Sequence, residues 1–577
     1  MLVATVVLIE MVAVSKLHRR LLTVMMVAMT TILAFAASPE TARSADAGAI
    51  TIGGDVATQY DAYQLFSATV TDKAGSDQKV ATDLAWASDA ARQAVLPVLY
   101  DAGFDSSAST AQEAAEWLNA DGHMSTALAA RLACAICNAG AASVPLNAGM
   151  AAELPCGYWL IVADDDAIDQ GEAGTVPIMA LVGGGAVTVK PKAATPKVAK
   201  HVLEDGTAAW QKAADATVAD DLYWRLSATV PAGLTAYDTY TVRFVDTMGA
   251  GLDPSKVAAS MRVYAAAGAD GGFDAVSTGK DGRAGSEPAK GWTDITAQCA
   301  TKVAADGKTF TVRTGDLIAA LGGADAFTAG ARVVAVYNAP LNSACSHGIA
   351  KGNPNEVYLR YPRSPLADQS GDAGFTRTSS DDACAYTWGL SLIKRSSSDD
   401  KPLAGAKLRI IDDRGRILTT DGSWSTDADA CITTDADGHV ELSGVDAGVY
   451  TVEEIAAPKG YTAFEGKRTV TVTAEGLDVK QVATAKPKVT VSAENPLRVD
   501  TADARTGSIE LSVLNTPSKE AGRGFMPSTG DRTLVLVAVL AAIGVAAIVV
   551  ALVIKRGGGR RENNCPSCSM AYCLRSE

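Results

Sequence analysis

Apolar and polar residues alternate through most of this chain, and a period of two residues predicts β-strands with one buried face. The alternation begins in AITIGGDVATQYDAYQLFSATV and returns in later stretches such as DDLYWRLSATVPAG and YDTYTVRFVDTM. Two helical stretches interrupt it, and the second opens SSASTAQEAAEWLNA. There Thr110 with Glu113, or Ser109 with Gln112, has the spacing of a helix capping box. The pattern predicts a mainly β protein whose first domain is α+β.

Length and changes in composition divide the chain into several domains. A chain of 577 residues is too long for one hydrophobic core. We predict an α+β domain at 48–188, a Pro- and Lys-rich linker at 189–196, and two β-rich domains at 197–366 and 385–518.

The N-terminal residues 1–47 have the three regions of a secretory signal peptide. Basic residues including Arg19 precede the apolar stretch 21–37, and Ala45 and Ala47 form an A-x-A cleavage site. A membrane anchor is the alternative interpretation. We expect a cleaved signal and an exported protein.

The C-terminal region has the pattern of a membrane anchor. Residues 533–554 carry no charge and are long enough to cross a hydrocarbon core as a transmembrane helix. The basic tail at 555–577 is then expected to stay in the cytoplasm. The turn-forming pentapeptide 526–530 comes just before this helix, and Pro527 favours an extended, accessible backbone there.

Charge and motifs exclude several classes of function. The formal net charge is −14, which disfavours nucleic acid as a partner. The exported histidines are isolated, and there is no H-E-x-x-H, G-x-S-x-G or Walker motif. We therefore predict no turnover enzyme, no cofactor and no metal site, and we consider a secreted hydrolase with β-rich accessory domains the weakest alternative.

The pentapeptide, apolar helix and basic tail together resemble the LPxTG sorting signal of Gram-positive surface proteins, with Met526 in the Leu position. The resemblance implies that a sortase cuts between Thr529 and Gly530. The Thr529 acyl group then passes to an amine, which implies sortase and cell-wall peptidoglycan as partners and a wall-anchored location at the cell surface.

Three stretches of the last domain carry a second resemblance: GLSLIKRSSSDDKPLAGAKLRIID, DADGHVELSGVDAGVYTVEEIAAPKGY and GSIELSVLNTPSKE. They resemble the B-type domain of collagen-adhesin and pilin proteins, an immunoglobulin-like β-sandwich. The resemblance implies an isopeptide bond between Lys394 and Asn515, with Glu454 as catalyst. Burial supports this chemistry, because it disfavours the charged forms of both an amine and a carboxyl group, and a neutral acid can donate to the amide carbonyl. An ion pair beside a hydrogen-bonded Asn is the alternative.

The middle domain resembles the D2, or A-type, isopeptide domain of fimbrial shaft proteins. PKVAKHV, WQKAADATVADDLYWRLSATVP and YDTYTVRFVDTMGAGL carry this resemblance. It implies Lys200 as nucleophile and Asp246 as catalytic acid. Asn355 is the first candidate for the amide partner and Asn353 the second, and a domain without a bond remains the alternative.

The linker sequence VTVKPKAATPKV resembles a degenerate form of the pilin motif V-x-V-Y-P-K-N. By this resemblance Lys192 attacks the sortase acyl-enzyme of the next subunit, whereas a solvated linker is the alternative. The whole chain is thus identified as resembling a sortase-polymerised fimbrial shaft pilin, with other pilin subunits as partners. A monomeric wall-anchored adhesin or minor pilin that binds a host or matrix ligand is the main alternative.

Seven cysteines lie in the exported part, which is consistent with an oxidising surface location. We expect Cys299 to pair with Cys345 and Cys384 with Cys431. In the first domain Cys156 has two candidate partners, Cys134 and Cys137.

Overall fold

The structure is a computed structural model, and it describes residues 47–53, 59–76, 78–120, 122–191, 195–232, 234–268, 291–323, 330–420, 422–477 and 488–518. Nearly all of the predicted signal peptide, Lys192, the pentapeptide 526–530, the apolar segment 533–554 and the C-terminal tail lie outside these residues. Among the described residues, no helix is both long and apolar enough to cross a membrane.

The first domain is α+β, as predicted. Its strands are β1 (Ala47–Ile52), β2 (Gln59–Asp72), β3 (Lys79–Trp86), β4 (Ser143–Asn147), β5 (Ala151–Pro155), β6 (Gly157–Ala163), β7 (Ile178–Val182) and β8 (Val187–Val189), and its helices are α1 (Asp89–Asp101), α2 (Ala111–Asn119) and α3 (Thr126–Asn138). The strands form a three-stranded sheet, β5-β1-β8, and a five-stranded sheet, β3-β2-β6-β7 with β4 paired to β2. The apolar faces of all three helices pack into one core with β2 and β6.

The start of α2 confirms one of the two predicted capping boxes. The Thr110 side chain accepts from the Glu113 N–H, and the Glu113 carboxylate accepts from the Thr110 N–H at 3.0 Å. Among the described residues of this domain there are three α-helices, where the sequence pattern predicted two.

The middle domain is a sandwich of two sheets around one core. Its strands are β9 (Lys197–Glu204), β10 (Ala209–Gln211), β11 (Ala213–Asp215), β12 (Tyr223–Val230), β13 (Arg243–Met248), β14 (Arg262–Ala267), β15 (Thr293–Asp294), β16 (Ala300–Val303), β17 (Thr309–Arg313), β18 (Ala331–Asn338), β19 (Asn353–Pro362), β20 (Phe375–Arg377) and β21 (Asp381–Tyr386), with short helices α4 (Val257–Ser260) and α5 (Leu317–Ala320). One sheet has the order β10-β9-β12-β18-β14-β15, and the other has β11-β21-β19-β13-β17-β16 with β20 on β19.

The last domain is a second sandwich. Its strands are β22 (Trp388–Ser396), β23 (Lys407–Ile411), β24 (Ile417–Leu418), β25 (Trp424–Ser425), β26 (Ile432–Thr433), β27 (His439–Val445), β28 (Gly448–Ala456), β29 (Tyr461–Thr462), β30 (Lys467–Glu475), β31 (Lys488–Ala493), β32 (Leu497–Asp503) and β33 (Ser508–Pro517). One sheet is β27-β22-β33-β29 with β32 on β33, and the other is β25-β24-β23-β28-β30-β31 with β26 on β23. The first and last strands, β22 and β33, are parallel neighbours.

The boundary between the last two domains differs from the sequence-based prediction. The middle domain does not end at residue 366, because β20 and β21 pair with β19 in its sheet. Strand β21 also pairs in parallel with β11, and its Ala383 and Ala385 are buried in the middle-domain core. Only Thr387 separates β21 from β22, so the last domain begins at Trp388 and not at 385.

Polar contacts join these two domains. The guanidinium of Arg416 donates to both carboxylate oxygens of Asp220, at 2.5 and 2.7 Å. The Trp388 indole N–H donates to Asp215 Oδ2 at 2.7 Å, in a buried position. A two-point contact of arginine with a carboxylate fixes orientation as well as distance. This contact therefore restricts how the two sandwiches are oriented at their junction.

Candidate functional site: two buried clusters of lysine, acid and amide

Three predicted residues of the last domain lie in inward-facing rows. Alternate residues of β22 are buried and include Lys394, and the buried alternation in β28 and β33 leads to Glu454 and Asn515. A strand turns every second side chain to the same face, so each row carries its polar side chain into the core. Parallel pairing of β22 with β33 puts Lys394 beside Val513 and Ser396 beside Asn515.

The three side chains are in direct contact. Lys394 Nζ donates to Asn515 Oδ1 at 2.5 Å, and Asn515 Nδ2 donates to Glu454 Oε1 at 2.7 Å. The second carboxyl oxygen of Glu454 lies 3.1 Å from Lys394 Nζ. The structure therefore brings together all three residues predicted for this domain.

The surroundings of this cluster are apolar and closed to solvent. The side chains of Lys394 and Glu454 are 0% exposed, and Asn515 is 1% exposed. The Phe464 ring lies 5.2 Å from Lys394 Nζ, and the Phe464 N–H donates to Glu454 Oε2 at 3.0 Å. Desolvation lowers the pKa of Lys394 to about 8, which makes a neutral, nucleophilic amine accessible near neutral pH.

A close backbone approach holds Lys394 in place. Gly438 has φ +77°, and a Cβ there would lie 2.8 Å from the Lys394 carbonyl oxygen. The Lys394 N–H donates to the Gly438 carbonyl at 2.8 Å. A residue other than glycine would push β22 away and displace the amine.

The hydrogen bond expected from the Glu454 acid to the Asn515 carbonyl is not the one in this structure. The carbonyl oxygen faces Lys394, and the carboxyl group faces the amide nitrogen. Glu454 thus contacts both the Lys394 amine nitrogen and the Asn515 amide nitrogen, a position from which a carboxyl group can carry a proton from one to the other.

The middle domain has a second buried cluster. Lys200 on β9 forms an ion pair with Asp246 on β13, and both side chains are 0% exposed. These strands belong to opposite sheets, so the pair bridges the sandwich. Burial lowers the pKa of Lys200 to about 8 and raises that of Asp246.

Tyr337 on β18 is a member of this cluster that sequence reasoning missed. Its hydroxyl oxygen accepts from Lys200 Nζ at 3.0 Å and from Asn355 Nδ2 at 2.9 Å, and it donates to Asp246 Oδ2 at 3.0 Å. All four residues are fully buried or nearly so. The available signal was the inward row Val333, Ala335, Tyr337, since a buried tyrosine hydroxyl needs a polar partner.

The two asparagine candidates have different environments. Asn353 uses its whole amide in hydrogen bonds to the backbone: Oδ1 accepts from the Ser346 N–H, and Nδ2 donates to the Ser346 and Ala385 carbonyls. Asn355 is in the cluster, and its Oδ1 has no hydrogen-bond partner in the described part of the chain. The geometry favours Asn355 as the reacting amide and gives Asn353 a structural role.

We predict different masses for the two alanine variants. Asn355→Ala should abolish the predicted middle-domain bond. The reduced variant then loses one ammonia fewer than the parent, so its mass deficit against its own sequence mass is about 17 Da smaller. Asn353→Ala should keep the bond but unfold at a lower temperature, because three hydrogen bonds of a buried side chain are lost, one of them fully buried. Intact-mass spectrometry compares them, and an unchanged ammonia count in Asn355→Ala would exclude this residue.

A pH effect is expected when the bond of the last domain cannot form. In Asn515→Ala, Lys394 stays a buried amine whose pKa is about 8 when folded, against 10.5 for the free side chain. Between these values the unfolded state binds more protons, so stability rises with pH from about 8 to 10.5. The double variant Lys394→Met/Asn515→Ala is the control, and an equal rise in both would contradict the depressed pKa.

The predicted disulfide bonds are wrong in this structure. Cys299, Cys345, Cys384 and Cys431 are free thiols. Cys384 lies on β21, which pairs in a middle-domain sheet, but its side chain packs against Gly352 and in the hydrophobic core of the last domain. The Cys299 thiol instead donates to the Ile295 carbonyl at 3.3 Å. Cys134 and Cys137 are also free thiols, so neither forms the expected bridge to Cys156.

The remaining predicted residues cannot be placed. Lys192, Thr529 and Gly530 lie outside the described residues, so the sorting signal and the inter-subunit acceptor remain predictions from the sequence.

Comparison with known proteins identifies the class of the last domain. Residues 389–487 match the family model described as the SpaA prealbumin-like fold domain. This match confirms the prealbumin-like, immunoglobulin-type sandwich predicted there, and it includes Lys394 and Glu454 but ends before Asn515.

The chain is also similar to individual surface proteins of Gram-positive bacteria. The chain is 26% identical over 167 residues to the trypsin-resistant surface T6 protein of Streptococcus pyogenes serotype M6, a match that spans 28% of this chain and 29% of that protein. Among solved structures, the T6 backbone pilin of serotype M6 Streptococcus pyogenes aligns over 83% of this chain and 100% of its own, at 14% identity and a TM-score of 0.45. The full-length major pilin SpaD from Corynebacterium diphtheriae aligns over 84% and 100%, at 14% identity and a TM-score of 0.39. The domain match and the T6 similarity agree with the predicted resemblance to Gram-positive pilins.

Proposed function

We propose that this chain is a structural subunit of a sortase-assembled, cell-wall-anchored pilus, and that its last two domains each form an internal Lys–Asn amide bond. The observation that carries the proposal is the closed Lys394, Glu454 and Asn515 cluster, which joins the first and last strands of a prealbumin-like domain. A buried ion pair alone is a weak source of stability, because desolvation offsets the attraction between the charges. A covalent bond between the same strands has no such cost.

The reaction needs only the groups in the cluster. The neutral Lys394 amine attacks the Asn515 side-chain carbonyl carbon, the new Nζ–Cγ bond forms, and the Cγ–Nδ2 bond breaks. Glu454 takes a proton from the attacking nitrogen through Oε2 and delivers one through Oε1 to Nδ2, which leaves as ammonia. The bond forms once in each molecule, so the step is maturation and not turnover.

The strand arrangement suggests what the bond is for. The chain enters the last domain on β22 and leaves it on β33, and these two strands are parallel neighbours. Tension along a fibre would shear this pair. A bond from Lys394 to Asn515 would carry that load and spare the residues between them.

Export and polymerisation follow from the sequence motifs. The predicted signal peptide directs the chain outward, and the apolar segment 533–554 holds it at the membrane until sortase cuts after Thr529. The Thr529 acyl group is then transferred to Lys192 of another subunit, or to peptidoglycan at the end of assembly.

A wall digest tests this function against its main alternative. Muralytic extracts of cells that express the chain, separated on a denaturing gel and probed for the middle domain, should contain a ladder of joined subunits. A single wall-linked species would instead identify a monomeric adhesin or minor pilin, and it would overturn the shaft assignment.

A further inference from the structure

The two clusters differ in the group that lies between the reacting nitrogens. In the last domain the Glu454 carboxyl group contacts Lys394 Nζ at 3.1 Å and Asn515 Nδ2 at 2.7 Å. In the middle domain the group that contacts both nitrogens is the Tyr337 hydroxyl, at 3.0 Å from Lys200 Nζ and 2.9 Å from Asn355 Nδ2. The phenol thus takes the position that the carboxyl group holds in the other domain.

The Asp246 carboxyl group contacts this hydroxyl. Its Oδ2 accepts from the Tyr337 O–H at 3.0 Å and also pairs with Lys200. Its other oxygen, Oδ1, has no hydrogen-bond partner among the described residues, and the same is true of the Asn355 carbonyl oxygen. A proton on Asp246 Oδ1 would turn that unpaired acceptor into a donor. Asp246 can therefore hold the proton that is transferred during amide formation.

The Tyr337 ring is held rigidly in this position. Phe310 packs edge-on against it with ring centroids 4.8 Å apart, and Tyr337 is 0% exposed. No alternative partner for the hydroxyl is needed, because it already makes three hydrogen bonds within the cluster.

We propose that Tyr337 is a catalytic residue of the middle domain, the proton relay of Lys200–Asn355 amide formation. This inference rests on the proposed function. Lys200 reacts as the neutral amine beside an ionised Asp246. Its Nζ attacks the Asn355 side-chain carbon and forms the Nζ–Cγ bond, and the proton it gives up passes to the Tyr337 oxygen while the Tyr337 proton moves to Asp246. As the Cγ–Nδ2 bond breaks, Tyr337 donates its proton to Nδ2 and recovers one from Asp246. The products are one amide bond and one ammonia, and the relay ends in its starting state.

The alternative role for Tyr337 is a purely structural one, in which its hydroxyl only fills a polar gap. The two roles differ in their effect on rate. A relay that supplies general acid–base catalysis contributes about 10²- to 10⁴-fold, whereas loss of a structural hydroxyl leaves the rate of a folded variant within a few-fold.

The experiment measures amide formation in freshly made protein. Residues 47–518 carrying Glu454→Gln are synthesised in a cell-free system, so that only the middle domain can lose ammonia. Samples are quenched in acid over time, reduced, and weighed by mass spectrometry. The same chain with Tyr337→Phe should form the bond at least about 100-fold more slowly, with circular dichroism matching that of an Asn355→Ala reference that is folded and unreacted.

A second variant covers the case in which Tyr337→Phe does not fold. Incorporation of 3,5-difluorotyrosine at position 337 keeps the hydroxyl and the ring but makes the phenol more acidic, so a relay should change its rate by more than about threefold. An unchanged rate in either folded variant overturns the relay. If the chain with an intact Tyr337 loses no ammonia at all, the proposed middle-domain bond does not form, and Tyr337 has no reaction to catalyse. Failure of the bond is therefore distinguishable from failure of the relay.

Discussion

Glu454→Gln is expected to lower the free energy of unfolding of the last domain by about 4–5 kcal/mol, because a crosslink over a loop of about 100 residues removes this much chain entropy from the unfolded state. Lys394 and Asn515 are 121 positions apart, so the bond closes nearly the whole domain. Glutamine keeps the size of the side chain and can still accept from the Phe464 N–H, but it cannot carry the proton. The melting temperature of the domain should fall by roughly 10–20 °C.

The neighbouring residue provides a matched control. Glu453→Gln makes the same chemical change one position away, at a partly exposed side chain that pairs with Arg409 at 3.4 Å. Loss of such a surface pair should cost less than about 1 kcal/mol. If both variants unfold at the same temperature as the parent, the cluster is no more than a hydrogen-bonded ion pair.

The second large effect concerns anchoring. Thr529→Ala should leave the protein in the membrane fraction with its C-terminal segment attached, because the sortase no longer has its cleavage site. Lys192→Ala should have a narrower effect: single subunits should still reach the wall, while the high-mass ladder disappears. Fractionation followed by immunoblotting separates these outcomes.

Two results would contradict this part of the account. Covalent wall linkage that persists in Thr529→Ala would exclude the pentapeptide as the sorting signal. A ladder that persists in Lys192→Ala would move the acceptor to another lysine, of which Lys190 is the natural control for substitution.

The last-domain cluster could be predicted because it depends on local alternation and on known motifs. Lys394, Glu454 and Asn515 each continue a buried row at a spacing of two residues, so their inward direction follows from the strand pattern. The strand pattern alone does not specify that β22 and β33 are parallel neighbours, which the structure adds.

The middle-domain cluster was predicted less completely, because no motif marked Tyr337. Tyr337 reaches Lys200 and Asp246 only through the packing of the sandwich, and a single sequence does not specify which facing rows meet. For the same reason, the sequence did not predict that the middle domain extends beyond residue 366 through β20 and β21. Strand β21 begins with two aspartates, and it is held by pairing with β11, far away in sequence, which no local pattern reveals.

The disulfide predictions failed because a single sequence does not specify which side chains meet in a core. The Cys384 side chain packs in the core of the last domain, yet both Cys384 and Cys431 are free thiols. The Cys299 thiol, for example, donates a hydrogen bond to the nearby Ile295 carbonyl.

The central claim is that buried lysines of this protein become covalently joined to asparagines, and the intact mass of recombinant residues 47–518 tests it most directly. The chain should be folded, fully reduced to open any disulfide, and weighed against its sequence mass. Two internal amide bonds predict a deficit of two ammonia molecules, about 34 Da. A folded protein at its full sequence mass would contradict the account.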